Sequence, residues 1–342
     1  MINNIGYFCL PLSIEHHMNP NFKDYLLTIT NSTKCDEIEI IQSLWSGYGK
    51  ISRYQLVDSA YKTVVVKCIS PNESIEHPRG WNTDFSHNRK IKSYKVETHW
   101  YKEWNALCND NCRVPKLLGS FSEEDNQWII LEDLNTYFPL RKNQLNLTEV
   151  KVCLKWIANF HAIFLNKKPI GLWDVGTYWH LKTRPDEFEK IEDQAIKEKA
   201  HLIDDLLNQC LYQTIVHGDA KVANFCFSQN EASVAAVDFQ YAGGGCGMKD
   251  VAYFLSSSLS SSECEFHEKE LLNFYFSELK IVLKSLNSTI DFNALKHEWI
   301  QMYPIACADF TRFLLGWMPS HQKLNSYNLN IMHSVLSSLQ QS

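Results

Sequence analysis

The chain has 342 residues, of which 45% are hydrophobic and 21% charged, with a net charge of −6. That balance suits a globular chain of two packed units that folds without disulfides. It argues against a nucleic-acid partner, which needs clustered Lys and Arg, and no apolar run reaches the ~18 residues of a membrane span. Met1 to Leu12 lacks the basic-then-apolar pattern of a secretory leader. The 11 cysteines are odd in number and scattered, so they read as reduced thiols in a cytoplasmic protein. Cys108 and Cys112 with His99 have no second Cys/His pair at a zinc-like spacing, so they read as ordinary packing residues.

Asn21–Ile29 has the spacing of a short helix. Ile38–Trp45, Ile51–Val57 and Thr63–Ile69 alternate or run apolar between turn-formers, which predicts an antiparallel meander. Pro71–Arg89 is polar and reads as a long loop. Tyr94–Cys108 returns to helical spacing, with Tyr94, Trp100, Trp104 and Leu107 as buried positions. Leu117–Ser122 and Gln127–Leu131 predict two further strands. Beyond about Leu134 helical patterns dominate: Leu147–Leu165 with Thr148 as its cap, then Asp186–Cys210, Cys264–Leu286 and Phe292–Trp317. Strands first and helices after is an α+β order, with 1–133 and 134–342 as the two expected lobes.

The stretch His217-Gly218-Asp219-Ala220-Lys221-Val222-Ala223-Asn224, with Val237-Asp238-Phe239-Gln240 after it, carries the chemistry. Phosphoryl transfer is catalysed mainly by positioning and charge neutralisation. Asp219 can orient a hydroxyl and take its proton. Asn224 and Asp238, the latter at the end of the apolar run Val234–Val237, give the one amide and one carboxylate that suit Mg²⁺. Lys67 ends the apolar run Val64–Val66 and can reach nucleotide phosphates. A half-buried Lys needs a counter-ion, and Glu97 is favoured over Glu103 on position. Gly47 and Gly49 fall between the first two strands, where backbone can close over phosphates, and Ser52 can add a phosphate hydrogen bond. The same glycines also suit a plain hairpin turn. Glu132-Asp133-Leu134 leaves a strand where backbone of Glu132 and Leu134 would meet an adenine edge.

These residues resemble the superfamily of aminoglycoside and choline kinase-like phosphotransferases, and within it the ecdysteroid-kinase-like branch. The resemblance rests on the motif from His217 to Asn224, the Asp238-Phe239-Gln240 triplet, Leu131-Glu132-Asp133-Leu134 and Asp250–Leu255. It rests also on Ala158–Ala162 and on Glu97 with Tyr101. It implies a bilobal kinase-like fold, ATP with Mg²⁺ as donor, Asp219 as catalytic base, Asn224 and Asp238 as metal ligands, and Lys67 on the α/β-phosphates with Glu97 as partner. It implies that Asp250 braces the catalytic loop. Lys221 departs from the small-molecule kinases, which often carry an aromatic residue or His there. It either touches the transferring phosphate or faces solvent. Gly243–Gly247 is either a mobile loop or a tight connection.

The expected acceptor is a small-molecule alcohol. Trp173, Tyr178, Trp179, Tyr303, Phe310, Phe313 and Trp317 offer aromatic walls, at least half of them as core, and Asp309 is a candidate partner for an amine. Choline-like, aminoglycoside-like, and steroid- or sugar-like alcohols all remain open. A protein kinase is disfavoured by the lack of an Ala-Pro-Glu segment. A non-catalytic nucleotide-binding protein is disfavoured because Lys67, Asp219, Asn224 and Asp238 are all present.

Overall fold

The computed structural model describes residues 18–44, 47–71 and 84–340. Most of the predicted loop at 71–89 therefore lies outside the described residues, as do Trp45 and Ser46. The first helix, α1 (Pro20–Thr30), starts where Asn19 Oδ1 accepts the Phe22 N–H at 2.9 Å and ends where Asn31 turns left-handed at φ 48°. It buries Phe22 and Leu26 against an antiparallel sheet in the order β1-β2-β3-β5-β4. The strands are β1 (Lys34–Ser43), β2 (Gly49–Val57), β3 (Thr63–Ile69), β4 (Leu117–Glu123) and β5 (Asn126–Glu132). Successive side chains alternate between the two faces of such a sheet. In β3, Val64 and Val66 therefore face α1, packing in one cluster with Phe22, Tyr54 and Ile130. Lys67 and Ile69 face the other way.

On that other face lies α2 (Asp84–His99), which continues as a π-helical turn at Trp100–Trp104. The helix begins ten residues before the predicted Tyr94, because its first turns are too polar to show helical periodicity. Tyr94, Trp100 and Trp104 are buried as expected, whereas Leu107 is 47% exposed.

After the short β6 (Leu140–Arg141), α3 (Leu147–Phe164) opens on a capping box. Asn146 Oδ1 accepts the Glu149 N–H, and the Glu149 carboxylate accepts the Asn146 N–H at 2.8 Å. Asn146, not Thr148, is thus the cap. The predicted helix over Asp186–Cys210 is broken into α4 (Pro185–Glu189) and α5 (Gln194–Gln209), since Asp193 caps a new start. Short strands β7 (Thr214–Val216), β8 (Phe225–Phe227), β9 (Val234–Ala236) and β10 (Gly243–Gly245) then carry the chain around the motif. They form two small sheets, β10-β7 and β6-β8-β9. Helices α6 (Met248–Ser258), α7 (Ser261–Ser285), α8 (Phe292–Trp317) and α9 (Ser326–Gln340) complete the described chain. The α+β order is as expected: an antiparallel sheet first, helices after.

The glycine run is a tight connection. Gly243, Gly244 and Gly245 pair with Val216, Ile215 and Thr214, directly behind the motif. A Cβ on Gly243 would lie 2.3 Å from the Trp173 carbonyl oxygen, and main chain cannot yield as a side chain can. Gly243→Ala is expected to cost at least ~2 kcal/mol by overpacking, read as a lowered midpoint in chemical denaturation. An unchanged midpoint would show that this strand is not packed so closely.

Candidate active site

The motif loop between β7 and β8 is shaped by one buried carboxylate. Asp250, in the first turn of α6, accepts the His217 N–H at 2.6 Å on Oδ2 and the Gly218 N–H at 2.9 Å on Oδ1. His161 of α3 reaches the same carboxylate through Nε2 at 3.1 Å, and its Nδ1 is bound to the Tyr275 hydroxyl at 2.7 Å. Burial pushes the Asp250 carboxyl up, but His161, His217 and the loop amides outweigh it and hold it below the usual range. Gly218 sits at φ +79°, and a Cβ there would lie 2.2 Å from the Tyr241 carbonyl oxygen, so only glycine fits. The His217 ring spans the loop: Nε2–H donates to the Val237 carbonyl at 3.1 Å, and Nδ1 accepts the Asp219 N–H at 3.2 Å.

That bracing presents the Asp219 carboxylate. Its Oδ2 accepts from Lys221 Nζ at 2.8 Å and from Asn224 Nδ2 at 3.1 Å, and its Oδ1 accepts from the Tyr253 hydroxyl at 3.1 Å. Asn224 Nδ2 also reaches the Asp219 carbonyl at 2.8 Å, which turns the amide oxygen away from these partners. Burial pulls the Lys221 ammonium down, yet the Asp219 and Asp238 carboxylates raise it above its usual value.

Asp238 follows β9 in a left-handed conformation, φ +72°, unusual for a residue with a side chain. Burial pushes its carboxyl up, but Lys67, Lys221, Lys90 and His217 together bring it below the usual range. Behind it Phe239 is fully buried, stacked on Trp100 at 4.4 Å and packed on His217 at 4.6 Å between ring centroids. Gln240 then ties Asp238 to α2. Its Nε2 donates to Asp238 Oδ1 at 2.9 Å, and its Oε1 accepts from Lys90 Nζ at 3.1 Å and Ser93 Oγ at 3.3 Å.

Lys67 and Glu97 form the buried pair read from the sequence, Nζ to Oε2 at 2.6 Å. Burial raises the Glu97 carboxyl, and Lys67 offsets this only in part. Lys90, absent from the sequence reading, is a third cation of this site. Burial and its neighbour Lys67 hold it down to about 8, and Asp238 and Glu97 pull the other way. No motif could have marked it, because it lies in the polar start of α2.

The remaining predicted residues divide. Gly47 (φ +72°) and Gly49 (φ +123°) form the turn between β1 and β2, and a Cβ on Gly49 would lie 2.1 Å from the Cys68 carbonyl oxygen. Ser52 is a correction. It pairs with Val66, so it shares the α1 face, opposite Lys67, and its buried hydroxyl has no partner among the described residues. The Glu132 carboxylate pairs with Arg113 at 2.5 Å and its N–H donates to the Lys116 carbonyl at 2.9 Å, which leaves its carbonyl as the backbone group for a base edge. Leu134 opens a short 3-10 turn, where the first N–H groups have no partner within the helix. Asp309 is not available to an amine, since it binds Arg312 at 2.8 Å and the Trp179 indole N–H at 2.9 Å. Trp173, Trp179, Tyr303, Phe310 and Phe313 are buried, leaving Tyr178 and Trp317 half-buried.

Asp250→Asn keeps the shape but turns a donor toward a loop N–H. A loss of ~3–5 kcal/mol is expected in denaturant melts. Because the folded carboxyl is depressed, its contribution is present above the ordinary carboxylate range and fades as pH falls through the folded value. Below about pH 4 the stability of Asp250→Asn should therefore depend less on pH than that of wild type. Parallel curves would show that Asp250 does not brace the loop.

In sequence, Protein LicA homolog of Mycoplasma capricolum subsp. capricolum is 27% identical over 199 residues, spanning 58% of this chain and 76% of that protein. Among solved structures, an aminoglycoside-3'-phosphotransferase of type VIII aligns at 12% identity and TM-score 0.41, covering 83% of this chain and 100% of the other. Plasmodium vivax ethanolamine kinase aligns at 12% identity and TM-score 0.42, covering 88% of this chain and 81% of the other. Residues 175–288, which hold His217, Asp219, Asn224, Asp238 and Asp250, match the Ecdysteroid kinase-like family, the same branch that the motif resembles.

Proposed function

We propose that this chain is an ATP-dependent phosphotransferase whose acceptor is a hydroxyl of a small molecule, with residues 1–133 holding the donor and 134–342 the acceptor. The observation that carries the reading is the arrangement around Asp219. Its carboxylate is partly buried in a braced loop, with Asn224 on one oxygen and Tyr253 on the other, and with three lysines gathered around the neighbouring Asp238. A loop that orients one carboxylate beside a cluster of cations suits in-line transfer between two oxygens.

The donor side fits a nucleotide with its metal. Asn224 spends its amide hydrogens on Asp219, so its oxygen is the group left for a cation, and Asp238 is a carboxylate held ionised. One amide oxygen and one carboxylate suit Mg²⁺, which takes the rest of its shell from phosphate and water. Bound there, the ion would neutralise phosphate charge. Lys67, fixed by Glu97, and Lys90, fixed by Gln240, stand as phosphate contacts. The Gly47–Gly49 turn and the Leu134 N–H are the backbone groups for phosphate and base.

On the acceptor side Asp219 receives the hydroxyl proton as the new P–O bond forms. Its pairing with Lys221 precedes substrate: an arriving phosphoryl group, richer in charge than one carboxylate oxygen, draws Lys221 Nζ off Oδ2 and leaves that oxygen to the proton.

Two variants test the assignment. Asp219→Asn should keep the ATP-induced stabilisation, about 2.7 kcal/mol at roughly a hundred times the dissociation constant. It should lose transfer by at least ~10²-fold. Lys221→Met should likewise keep ATP binding while turnover falls by ~10²-fold or more. Full activity in Asp219→Asn would overturn the role of the base, and wild type unmoved by ATP with Mg²⁺ would overturn the whole reading.

A further inference from the structure

The aromatic cluster beside Asp219 is covered by the chain's own cations. Trp179, Tyr253, Phe310 and Phe313 pack together there. Lys323 Nζ lies 4.7 Å from the Tyr253 ring centroid and 5.5 Å from that of Phe310. The Arg184 guanidinium lies 5.8 Å from Tyr178 and 5.6 Å from Phe313. A quaternary ammonium or protonated amine needs such ring faces for itself, and a carboxylate beside them. Here the faces are taken, Asp309 is spent on Arg312, and Glu187 is paired with Arg184 at 3.0 Å.

The two cations are not alike. Arg184 is satisfied, with Nε on the Tyr178 carbonyl at 2.5 Å and a terminal nitrogen on Glu187. Lys323 has no ion pair and no side-chain hydrogen bond among the described residues. Its backbone is held on both sides all the same. The N–H donates to His321 Nδ1 at 3.1 Å, and the carbonyl accepts from Asn328 Nδ2 at 2.8 Å. Burial pulls this ammonium down to about 8, with Asp219 opposing that and Lys221 adding to it. This half-buried ammonium, over the ring whose hydroxyl holds Asp219 and without an ion pair among the described residues, is the cation that an anionic group on the acceptor would meet.

We propose that the acceptor is an alcohol carrying an oxyanion, a carboxylate, sulfate or phosphate monoester, and that Lys323 Nζ binds the oxyanion while the hydroxyl lies on Asp219. This rests on the phosphotransferase reading. The acceptor oxygen forms a bond to the γ-phosphorus, the bond from that phosphorus to the β–γ bridging oxygen breaks, ADP leaves with the electron pair, and the hydroxyl proton passes to Asp219. An anionic acceptor is repelled by the γ-phosphate, and the Lys323 ammonium would offset that repulsion. The same ammonium repels choline, ethanolamine and aminoglycosides.

The test is ADP release from ATP and Mg²⁺ with three acceptor panels: hydroxy acids, sugar acids and phosphorylated alcohols; neutral sugars and sterols; choline, ethanolamine and aminoglycosides. The anionic panel should hold the best acceptor. With it, Lys323→Met should raise the acceptor KM by about 10- to 100-fold and the ATP KM by less than about twofold, and Lys323→Arg should recover most of the loss. A better neutral or cationic acceptor would overturn the proposal, as would a Lys323→Met effect on the ATP KM instead. ATP-induced stabilisation with no turnover across the anionic panel overturns it as well and leaves the phosphotransferase reading standing. Absence of any ATP-induced stabilisation removes that reading and this one together.

Discussion

The carboxylate of Asp250 fixes the shape of the loop that carries Asp219. It holds two consecutive N–H groups, those of His217 and Gly218, in a region closed to water. Unmade, those bonds would leave two buried donors and a buried charge, each costing kcal/mol rather than tenths. The chain meets that demand in one arrangement, with His161 steering the carboxylate from α3 and the glycine strand β10 closing behind. Everything ahead of it follows. Gly218 turns left-handed because Tyr241 leaves no room for a Cβ, His217 spans to Val237, and Asp219 emerges with its oxygens in place.

A second constraint joins the sheet half to this loop. Phe239 is sandwiched between Trp100, on the turn after α2, and His217. The residue before it is the ionised Asp238, and the residue after it, Gln240, is bonded to Lys90 and Ser93 of α2. Glu97 of the same helix holds Lys67 of β3. One helix therefore holds Lys67, Lys90 and Asp238 in place together, so a shift of α2 along its axis would disturb all three at once. Asp238 is held at a positive φ by this packing on either side, which is how strained backbone persists at such positions.

What was legible in the sequence was local or periodic. Helix α8 spans Phe292–Trp317 as predicted, because its apolar residues repeat at helical spacing and Asp291 caps it. Strand β3 matches its predicted bounds, and the need of a half-buried Lys67 for a counter-ion, with position on the following helix, found Glu97. Strand alternation excludes Ser52, which is one residue out of phase with Lys67 through its partner Val66. The start of α2 was invisible because Asp84 to Lys92 is polar on nearly every side, and Lys90 was lost with it. Asp309 was misjudged although the signal existed: Arg312 stands three residues on in the same helix, the spacing of an intrahelical ion pair. Lys323 had no signal at all. It is a lone lysine in the connection between α8 and α9, and only the folding of that connection over Tyr253 brings it to the site.

In the proposed reading, charge placement separates the donor side from the acceptor side more sharply than residue type does. The three lysines around Asp238 each have a protein partner: Lys67 with Glu97, Lys90 with Gln240, Lys221 with Asp219. Such partners hold the ammonium groups apart in the free protein and can be exchanged for phosphate oxygens at little cost in desolvation, since the lysines are already out of bulk water. Around the aromatic cluster Asp309 is paired with Arg312 and Glu187 with Arg184, and the Lys323 ammonium rests on rings without an ion pair among the described residues. Ring faces stabilise a cation less than a carboxylate does and give no directional bond. An ammonium so placed has more to gain when an oxyanion arrives than one already paired, and the proposed anionic acceptor rests on that asymmetry rather than on the aromatic content of the helical half.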